Sequence, residues 1–575
     1  MTETAVARPP SALRTPVLAL LLIGVALRSA HFLHGRGLWS DEVRLAINIM
    51  ARSFTGLLHP LDYDQVAPIP FLWLTRATAL IGGPNSYALR LWPFIAGLLL
   101  LVVMRRLAIR LLPAGPALLA TALVTLSPIA IYYSAELKPY SIDALVAGGL
   151  ISLALRLLQE PTSGRRWAVL LVAGAAGVVS SASAIVVLAA IGFGLMASPE
   201  IRATRAGWLR LIATGAIWLL AFLPAYLLVF HPGSSSSMME SGWERHYLTP
   251  GTPDLLFRTE FLARTIFGRF FSVTPIGPYR FSPLASRLFC LVVAAGVVLL
   301  ARRKGLAVAI CVAGPIVMVL LGSAARVYPL WPRLVLFTLP GVALLVAEGT
   351  WGLLGAVVRG PWHQRFGLVA SLMLVTPAVR TGVRILMHPI ERDETGRLLT
   401  GFLDQSEATD PVYVASGGIP SWTFHTTDWS APDSARLASM AALSTSGGPG
   451  FLNRPSRGHA VRHEGWEHRR LVGQRIELMG IASGVTTSYM PPYSRQIADT
   501  GWAANEADRI VADANPRLWI FSTDLGSHPL NSLRAELAKR GAHEATRIEE
   551  PGASLSLFVV DPQPDHLAPP APTTP

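Results

Sequence analysis

The sequence has few charged residues for its length. Only 15% of its 575 residues are Asp, Glu, Lys or Arg, whereas a soluble domain carries about 25%. Hydrophobic residues make up 51%, and the mean hydropathy is +0.43. This composition excludes a disordered chain, a fibrous repeat and an ordinary soluble enzyme. It indicates a polytopic membrane protein because the apolar residues occur in long blocks.

Cysteine is almost absent, and the basic residues lack the pattern of a nucleic-acid-binding surface. Two cysteines, Cys290 and Cys311, are too few for a disulfide framework or a Cys-rich metal site. The formal charge of +13 divides into +18 for residues 1–391 and −5 for residues 392–575. The basic residues lie between apolar blocks and form no stripe with interleaved aromatic residues. We therefore interpret them as topology signals and predict no nucleic acid partner.

Eleven apolar segments predict membrane spans, each of which ordinarily needs about 20 apolar residues. The predicted spans are 12–34, 87–110, 116–134, 140–158, 166–181, 183–198, 209–230, 284–301, 306–322, 333–355 and 366–386. The fifth and sixth are short, and only Ser181–Ser183 divides them. We predict a transmembrane domain at 1–390 with two long loops, 35–86 and 231–283, on the same side of the membrane.

The distribution of basic residues predicts the orientation of these spans. With the N-terminus in the cytoplasm, every short cytoplasmic segment carries two or three basic residues: Arg8 and Arg14; Arg105, Arg106 and Arg110; Arg156, Arg165 and Arg166; Arg202, Arg205 and Arg210; Arg302, Arg303 and Lys304; Arg359 and Arg365. This bias is the one that cytoplasmic loops show. We therefore predict a multi-pass protein of the cell membrane with both long loops and everything after residue 386 outside the cytoplasm.

The chain changes character after Ile390. Patterns typical of strands and helices alternate there. Helices are predicted at 394–405 and 531–540, and strands at 411–415, 517–523 and 554–560. This alternation predicts a small extracytoplasmic α/β domain at 391–562. Residues 563–575, rich in Pro and Ala, predict a disordered tail.

Three segments at the extracytoplasmic ends of the predicted spans contain polar residues that membrane insertion alone does not require. They are Asp41, Glu42, Asp64 and Gln65 in the first loop, Glu136, Lys138, Tyr140 and Asp143 in the second, and Arg333 at the start of the tenth span. Carboxylates near hydrocarbon are costly, so they indicate functional sites. An arginine at the membrane edge either extends to the interface or binds a lipid phosphate.

These segments resemble the GT-C glycosyltransferases that use polyprenyl-phosphate-linked sugars, the superfamily of protein O-mannosyltransferases and lipid A aminoarabinose transferases. The matching motifs are Asp41–Glu42, Gln65–Pro70, Tyr87–Arg90 with Leu91 and Pro93, Glu136–Tyr140, and Arg333–Pro340. The order of spans, the long first loop and the C-terminal domain match as well. The resemblance implies a GT-C-like polytopic α-helical fold with about 11 transmembrane helices. It also implies an integral-membrane glycosyltransferase that moves a hexose or pentose from a polyprenyl phosphate to a glycan, lipid or protein acceptor.

The resemblance implies catalytic roles for four acids. Members of the superfamily place an Asp of the first loop at the reaction centre, and this role falls on Asp41, with Glu42 beside it. Glu136 or Asp143 is expected to position the acceptor or a metal. Oxygen ligands from Asp41 and Glu136 could hold a divalent cation, so the cofactor is left open between none and such an ion.

The chemistry of the expected donor also requires cations. A polyprenyl phosphate is a good leaving group, so the reaction needs a base for the acceptor hydroxyl and positive charge for the departing phosphate. Some lipid-modifying members carry a lysine before the proline pair for the donor phosphate, and here the stretch Gln65–Val66–Ala67–Pro68 contains no lysine. Lys138 and Arg333, and more weakly Arg90, are therefore expected to bind the donor phosphate. The remaining substrate-binding candidates are Asp64, Gln65 and Tyr140.

Two other functions remain open at this stage. A transporter of lipid-linked glycans would need charges near the bilayer midplane and repeated halves, and the sequence has almost none of the former and no visible repeat. A non-catalytic membrane scaffold, whose outer domain binds a glycan or a partner, would not need Asp41 or Glu136.

The predicted topology can be tested with a reporter that is active only outside the cytoplasm. We expect activity when the reporter is fused after Pro575 and none when it is fused near Arg303, because the basic loops stay inside. The reverse pattern would mean that the predicted number of spans is wrong by an odd number.

Overall fold

A computed structural model describes residues 11–231, 243–248, 268–271, 283–407, 410, 412–430, 432, 437, 460–462, 466–467, 480–481, 486–489, 502–512, 516–523 and 527–560. Most of the second long loop, 231–283, and the predicted tail, 563–575, lie outside these residues. A helical bundle and a mixed α/β region make up the described chain.

The bundle is built from helices of very different length. In chain order they are α1 (Ser11–Leu33), α2 (Ser40–Ala51), α3 (Ile69–Gly82), α4 (Ser86–Leu111), α5 (Ala114–Thr125), α6 (Pro128–Tyr133), α7 (Tyr140–Gln159), α8 (Gly164–Ser180), α9 (Ala184–Met196), α10 (Pro199–Arg202), α11 (Arg205–Ala225), α12 (Gly268–Phe271), α13 (Pro283–Lys304), α14 (Leu306–Ala324), α15 (Leu339–Val357) and α16 (Pro361–Met387).

Among the described residues, eight helical segments are long and apolar enough to cross a membrane. They coincide with eight of the eleven predicted spans. The other three predicted spans coincide with shorter helices, namely α5 with α6, α8, and α9. The fold is therefore that of a polytopic α-helical membrane protein, as the sequence predicts.

The third predicted span is interrupted after Thr125. Pro128 begins the next helix, and the Ser127 side chain accepts a hydrogen bond from the backbone N–H of Ala130, so a new helix starts there. The break leaves backbone carbonyls without helical partners. Arg28 of α1 is fully buried and donates to the carbonyls of Val124 and Thr125, at 3.1 and 2.9 Å. The arginine inside the first span thus stabilises the break.

The first long loop folds into two helices on the same face as the α/β region. Its helix α2 presents Val43, Leu45 and Ile47 to a buried apolar cluster. Pro70 occupies the second position of α3, where its missing N–H costs no helical hydrogen bond. Because α2 is packed on its apolar side, its first turn is held in a defined position.

The C-terminal region contains a six-stranded sheet. Its elements are α17 (Thr395–Gln405), β1 (Val412–Val414), α18 (Ile419–Thr426), β2 (Ala460–Arg462), β3 (Trp466–Glu467), β4 (Gly480–Ile481), β5 (Thr486–Tyr489), α19 (Trp502–Ala512), β6 (Arg517–Thr523), α20 (Ser527–Lys539), β7 (Ala542–Glu550) and β8 (Ala553–Val560). The strand order is β2-β5-β1-β6-β8-β7, with β1 parallel to β5 and β6. The helices and strands predicted in this region are present. The sequence pattern missed β7, an edge strand that is mostly exposed and whose charged residues are Glu544, Arg547, Glu549 and Glu550.

Two glycines allow close packing of α13 against α15. A Cβ at Gly349 would lie 1.9 Å from the carbonyl oxygen of Val292, and a Cβ at Gly296 would lie 2.1 Å from that of Leu345. Small residues permit such approaches between membrane helices. No side chain fits at either position without moving a helix.

We expect Gly349→Ala to destabilise the protein by about 1–3 kcal/mol, the usual cost of overpacking. Thermal unfolding in one detergent measures the effect. Gly149→Ala is the matched control, because a Cβ at Gly149 meets nothing within 4 Å. Equal melting temperatures for the two variants would contradict the packing described here.

Candidate active site

Asp41 lies between two cations that come from distant parts of the chain. It is the second residue of α2, and its side chain is 20% exposed. Its Oδ1 accepts a hydrogen bond from Lys138 Nζ at 3.0 Å, and its Oδ2 accepts one from Arg333 Nη1 at 2.8 Å. The fold thus brings together three of the residues that the sequence predicted to act on one substrate.

Gln65 completes this cluster. Its Oε1 accepts a hydrogen bond from Lys138 Nζ at 2.7 Å, and its Nε2 donates to Asp41 Oδ1 at 3.4 Å. The two residues before it, Tyr63 and Asp64, have φ values of 62° and 53°. This left-handed turn is uncommon for residues other than glycine and aims Gln65 at Lys138.

A pocket begins beside Gln65. Asp64 and Gln65 line one part of it, and apolar residues of the first loop and of the segment after α11 line the rest. The apolar lining residues include Leu57, Leu61, Leu72, Leu228 and Val229. Asp64 therefore borders the pocket, and no ion pair joins it to Lys138 or Arg333 within the described chain.

Burial and the opposite charges within the cluster shift the pKa values of its members in opposing directions. Burial by itself would raise the pKa of Asp41, but Lys138 and Arg333 outweigh it and hold that pKa well below its usual range. Burial lowers the pKa of Lys138, and the Asp41 carboxylate opposes this effect. Burial likewise acts against the charge of Arg333, but Tyr140 and Asp41 raise its pKa overall. Because the pKa of Asp41 is depressed, protonation breaks these ion pairs only at strongly acidic pH.

Glu42 faces the interior instead of the cluster. It is fully buried, and Arg90 donates to its two oxygens at 2.7 and 2.6 Å. The backbone N–H of Leu137 also donates to it, at 2.7 Å. Burial alone would raise the pKa of Glu42, but Arg90 and Arg36 lower it. Arg90 is therefore paired with Glu42, and no hydrogen bond or ion pair joins it to Asp41 among the described residues.

Glu136 is buried near the Asp41 cluster and near Glu42. Arg36 Nη2 lies 3.7 Å from its Oε2, and no hydrogen bond to either carboxylate oxygen is found in the part of the chain that the structure describes. Burial, together with the nearby Glu42 carboxylate, raises its pKa. The structure thus places at the site a carboxylate with free hydrogen-bonding capacity.

Tyr140 and Asp143 lie in the first turn of α7. The ring of Tyr140 lies 5.8 Å from the guanidinium carbon of Arg333, so this tyrosine borders the cluster. Asp143 accepts a hydrogen bond from Ser181 Oγ at 2.6 Å, where α8 ends. The contact of Asp143 is therefore to the break between the fifth and sixth predicted spans and not to Asp41.

Sequence analysis missed Arg36. This residue contacts Glu136 and Glu42, and it donates to the backbone carbonyl of Ala135 at 3.0 Å. One signal could have identified it. Arg36 follows the first span on the side where the charge bias leaves few basic residues, so a topology role did not explain it.

The carboxylates do not converge on one cation site. The oxygens of Asp41 contact Lys138 and Arg333, and those of Glu42 contact Arg90. No group of three or more His, Cys, Asp or Glu side chains that could hold a metal occurs among the residues described. These contacts of the Asp41 and Glu42 carboxylates do not fit a preorganised divalent cation.

The two neighbouring acids should respond differently to neutralisation. We expect Glu42→Gln to destabilise the protein by about 3–5 kcal/mol, because it leaves Arg90 buried without its counter-charge. Asp62→Asn is the control: Asp62 pairs with Arg52 at 2.8 Å but is 45% exposed, so its loss should cost less than about 1 kcal/mol. Thermal unfolding in one detergent compares them, and a Glu42→Gln protein as stable as the control would contradict the structural role.

The comparisons with known proteins agree with this architecture. A sequence profile of the family described as dolichyl-phosphate-mannose-protein mannosyltransferase matches residues 66–227, which include α3 to α11 and the loop with Glu136 and Lys138. No curated protein matches the sequence.

Solved structures match over much more of the chain. ArnT from Cupriavidus metallidurans bound to undecaprenyl phosphate is 13% identical, with a TM-score of 0.51 over 96% of this chain and 98% of that protein. The apo state of the same protein has a TM-score of 0.49 at 12% identity, over 95% of this chain and 98% of that protein. The Archaeoglobus fulgidus oligosaccharyltransferase tethered with an acceptor peptide has a TM-score of 0.44 at 11% identity, over 75% of this chain and 68% of that protein. The chain therefore shares the fold of ArnT, a GT-C glycosyltransferase fold, as the resemblance of its motifs predicts.

Proposed function

We propose that this protein transfers a sugar from a polyprenyl phosphate to an acceptor at the extracytoplasmic face of the cell membrane. One observation carries the proposal: a carboxylate, Asp41, is held between two cations, Lys138 and Arg333, at the end of the bundle where α4 and α7 begin. Such a cluster supplies the base and the positive charge that this transfer needs.

The orientation follows from the basic loops. Arg110 at the end of α4 contacts Gln159 at the end of α7, and Arg166 contacts the carbonyl of Arg156. These residues lie at the opposite ends of α4 and α7 from the cluster with Asp41. Since cytoplasmic loops are rich in basic residues, we assign the Asp41 cluster and the C-terminal sheet to the other side.

The donor phosphate fits Lys138 and Arg333 best. A sugar linked through a polyprenyl phosphate has one negative charge on the linking phosphate, and the released polyprenyl phosphate has up to two. Two cations therefore stabilise the departing group more than the bound donor, which is the condition for catalysis. The fold shared with ArnT, whose solved structure holds undecaprenyl phosphate, supports a donor of this class.

The pocket beside Gln65 suits the first part of the lipid. Its apolar lining continues from the polar cluster to Leu228 and Val229 at the end of the seventh predicted span. An isoprenoid chain buries apolar surface in such a pocket while its phosphate stays near Lys138. Asp64 and Gln65 would then lie where the phosphate and the lipid meet.

Asp41 is the proposed base. The acceptor oxygen attacks the anomeric carbon, the bond from that carbon to the phosphate oxygen breaks, and the acceptor proton passes to Asp41. In its present contacts the Asp41 carboxylate has a low proton affinity because Lys138 and Arg333 neutralise it. A bound phosphate would share these two cations, so the proton affinity of Asp41 would rise with donor binding.

The other acids receive supporting roles. Glu136 has free oxygen atoms in the described structure and lies near the cluster, so we assign it to hydrogen bonds with the acceptor. Glu42 holds the first loop through its ion pair with Arg90. Asp143 fixes the end of α8 through Ser181. Tyr140, which is not an acid of this group, borders Arg333.

We expect Asp41→Asn to lower the transfer rate about 10²–10⁴-fold, because the amide keeps the shape of the side chain and loses its basicity. The assay compares the envelope glycans or glycoproteins of cells that lack the protein and cells that express each variant. The Asp62→Asn variant, from the same loop, should restore the missing sugar. Full restoration by Asp41→Asn would exclude Asp41 as the base and favour a non-catalytic scaffold.

We expect Lys138→Gln and Arg333→Gln to weaken binding of undecaprenyl phosphate about tenfold or more, because each removes a charge-assisted contact to the phosphate. Native mass spectrometry of the detergent-solubilised protein with added undecaprenyl phosphate measures this. Arg52→Gln removes a cation from the loop that carries Asp41 and should leave binding unchanged. Wild-type affinity in both cluster variants would refute the phosphate site.

A further inference from the structure

The segment that connects the last bundle helix to the C-terminal sheet contacts the loop that carries Asp41. Its residues Arg392, Asp393 and Glu394 follow α16 and precede α17. We call these three residues the strap. They are more than 350 positions from Asp41 in sequence.

The first contact fixes the backbone of Gly37. Glu394 Oε1 accepts a hydrogen bond from the backbone N–H of Gly37 at 2.8 Å. On the other side, Arg90 Nη2 donates to the carbonyl of Gly37 at 2.9 Å. A Cβ at residue 37 would lie 2.3 Å from the backbone oxygen of Asp393, so the approach requires a glycine here. The loop is therefore held from two sides, four residues before Asp41.

The second contact lies closer to Asp41. The guanidinium carbon of Arg392 lies 3.4 Å from the centre of the Trp39 ring. Trp39 precedes the first residue of α2, and its backbone N–H lies 3.4 Å from Glu42 Oε2, where it donates a hydrogen bond. A stacked arginine restricts the ring and, through it, the start of the helix that presents Asp41.

The strap is itself anchored to the C-terminal domain. The backbone N–H of Glu394 donates to the carbonyl of Pro551 at 3.0 Å, in the turn between β7 and β8. Asp393 accepts hydrogen bonds from Thr395 and from Ser421 of α18, the latter at 2.6 Å. Phe424 of the same helix packs in the apolar cluster of α2. The strap thus transmits the position of the sheet to the first turn of α2.

The two proposed phosphate cations do not depend on the strap. Lys138 lies between α6 and α7, and Arg333 lies between α14 and α15. Neither forms a hydrogen bond or ion pair with residues 392–394 in the described parts of the chain. A change in the strap should therefore move Asp41 relative to these cations while leaving the cations in place.

From these contacts we infer that the strap is a positioning element for Asp41, and that Glu394 and Arg392 are positioning residues of the transferase. The inference rests on the proposed function for its catalytic consequence. Its structural part, that Glu394 holds the start of α2 in place, stands on the contacts alone.

The structural part is tested by the accessibility of Ser40, which is 3% exposed and adjacent to Asp41. A Ser40→Cys protein, with Cys290 and Cys311 replaced by serine and alanine, is labelled with a water-soluble maleimide. We expect Glu394→Ala to raise the labelling rate about tenfold or more, because it removes a hydrogen bond to a charged acceptor. Glu394→Gln, which keeps an acceptor for Gly37, should label at nearly the parent rate.

Glu536→Ala is the matched control. It removes an acid of the same domain whose partners, Lys539 and Arg540, lie on or next to its own helix. This variant should label at the parent rate. Arg392→Ala removes the stack on Trp39 and provides a second test of the strap if Glu394→Ala folds poorly. Parent labelling rates in both strap variants would overturn the inference.

The catalytic part is tested by separating binding from turnover. We expect Glu394→Ala to bind undecaprenyl phosphate with wild-type affinity and to transfer sugar about tenfold more slowly, with Glu394→Gln restoring the rate. If Glu394→Ala lowers the affinity for undecaprenyl phosphate and the melting temperature together with the transfer rate, Glu394 has a general structural role. That result would overturn the positioning role. The wild-type protein could transfer no sugar while Glu394→Ala still raises the labelling rate of the Ser40→Cys protein. In that case the proposed function fails and the structural part of the inference stands.

Discussion

The buried ion pair between Glu42 and Arg90 holds together the face of the bundle on which the candidate site lies. Arg90 comes from the start of α4, Glu42 from the first turn of α2, and the N–H of Leu137 adds a third element. Arg90 also donates to the backbone of Arg36 and Gly37. A buried charge without a partner is costly, so the arrangement that pairs Glu42 with Arg90 is strongly favoured. This pairing fixes the positions of the loops that carry the two contacts.

Two adjacent acids receive opposite surroundings from this arrangement. Successive residues of a helix point about 100° apart, so Glu42 and Asp41 cannot face the same partners. With Glu42 fixed toward Arg90, Asp41 is directed to Lys138 and Arg333 at the accessible edge. The ion pair that stabilises the fold therefore also selects the residue that is available for chemistry.

The cluster around Asp41 has a net positive charge. One carboxylate faces two cations, and Gln65 adds only neutral hydrogen-bonding groups. The surplus cation suits a phosphate at the membrane edge, where few water molecules screen the charge. In the proposed reaction, Asp41 and the donor phosphate would compete for the same cations, and this competition would couple donor binding to the proton affinity of Asp41.

The sequence alone determined the polytopic fold, the positions of the apolar blocks and most members of the cluster, since these depend on composition, charge bias and motifs that lie within short segments. Short motifs single out Asp41, Gln65, Lys138 and Arg333 without any knowledge of tertiary contacts. Tertiary structure decided which of the two adjacent acids meets the cations, because that depends on the direction in which α2 faces its neighbours. It also decided the roles of Arg36 and of the strap, whose contacts join segments that are up to about 350 residues apart and leave no local pattern in either one.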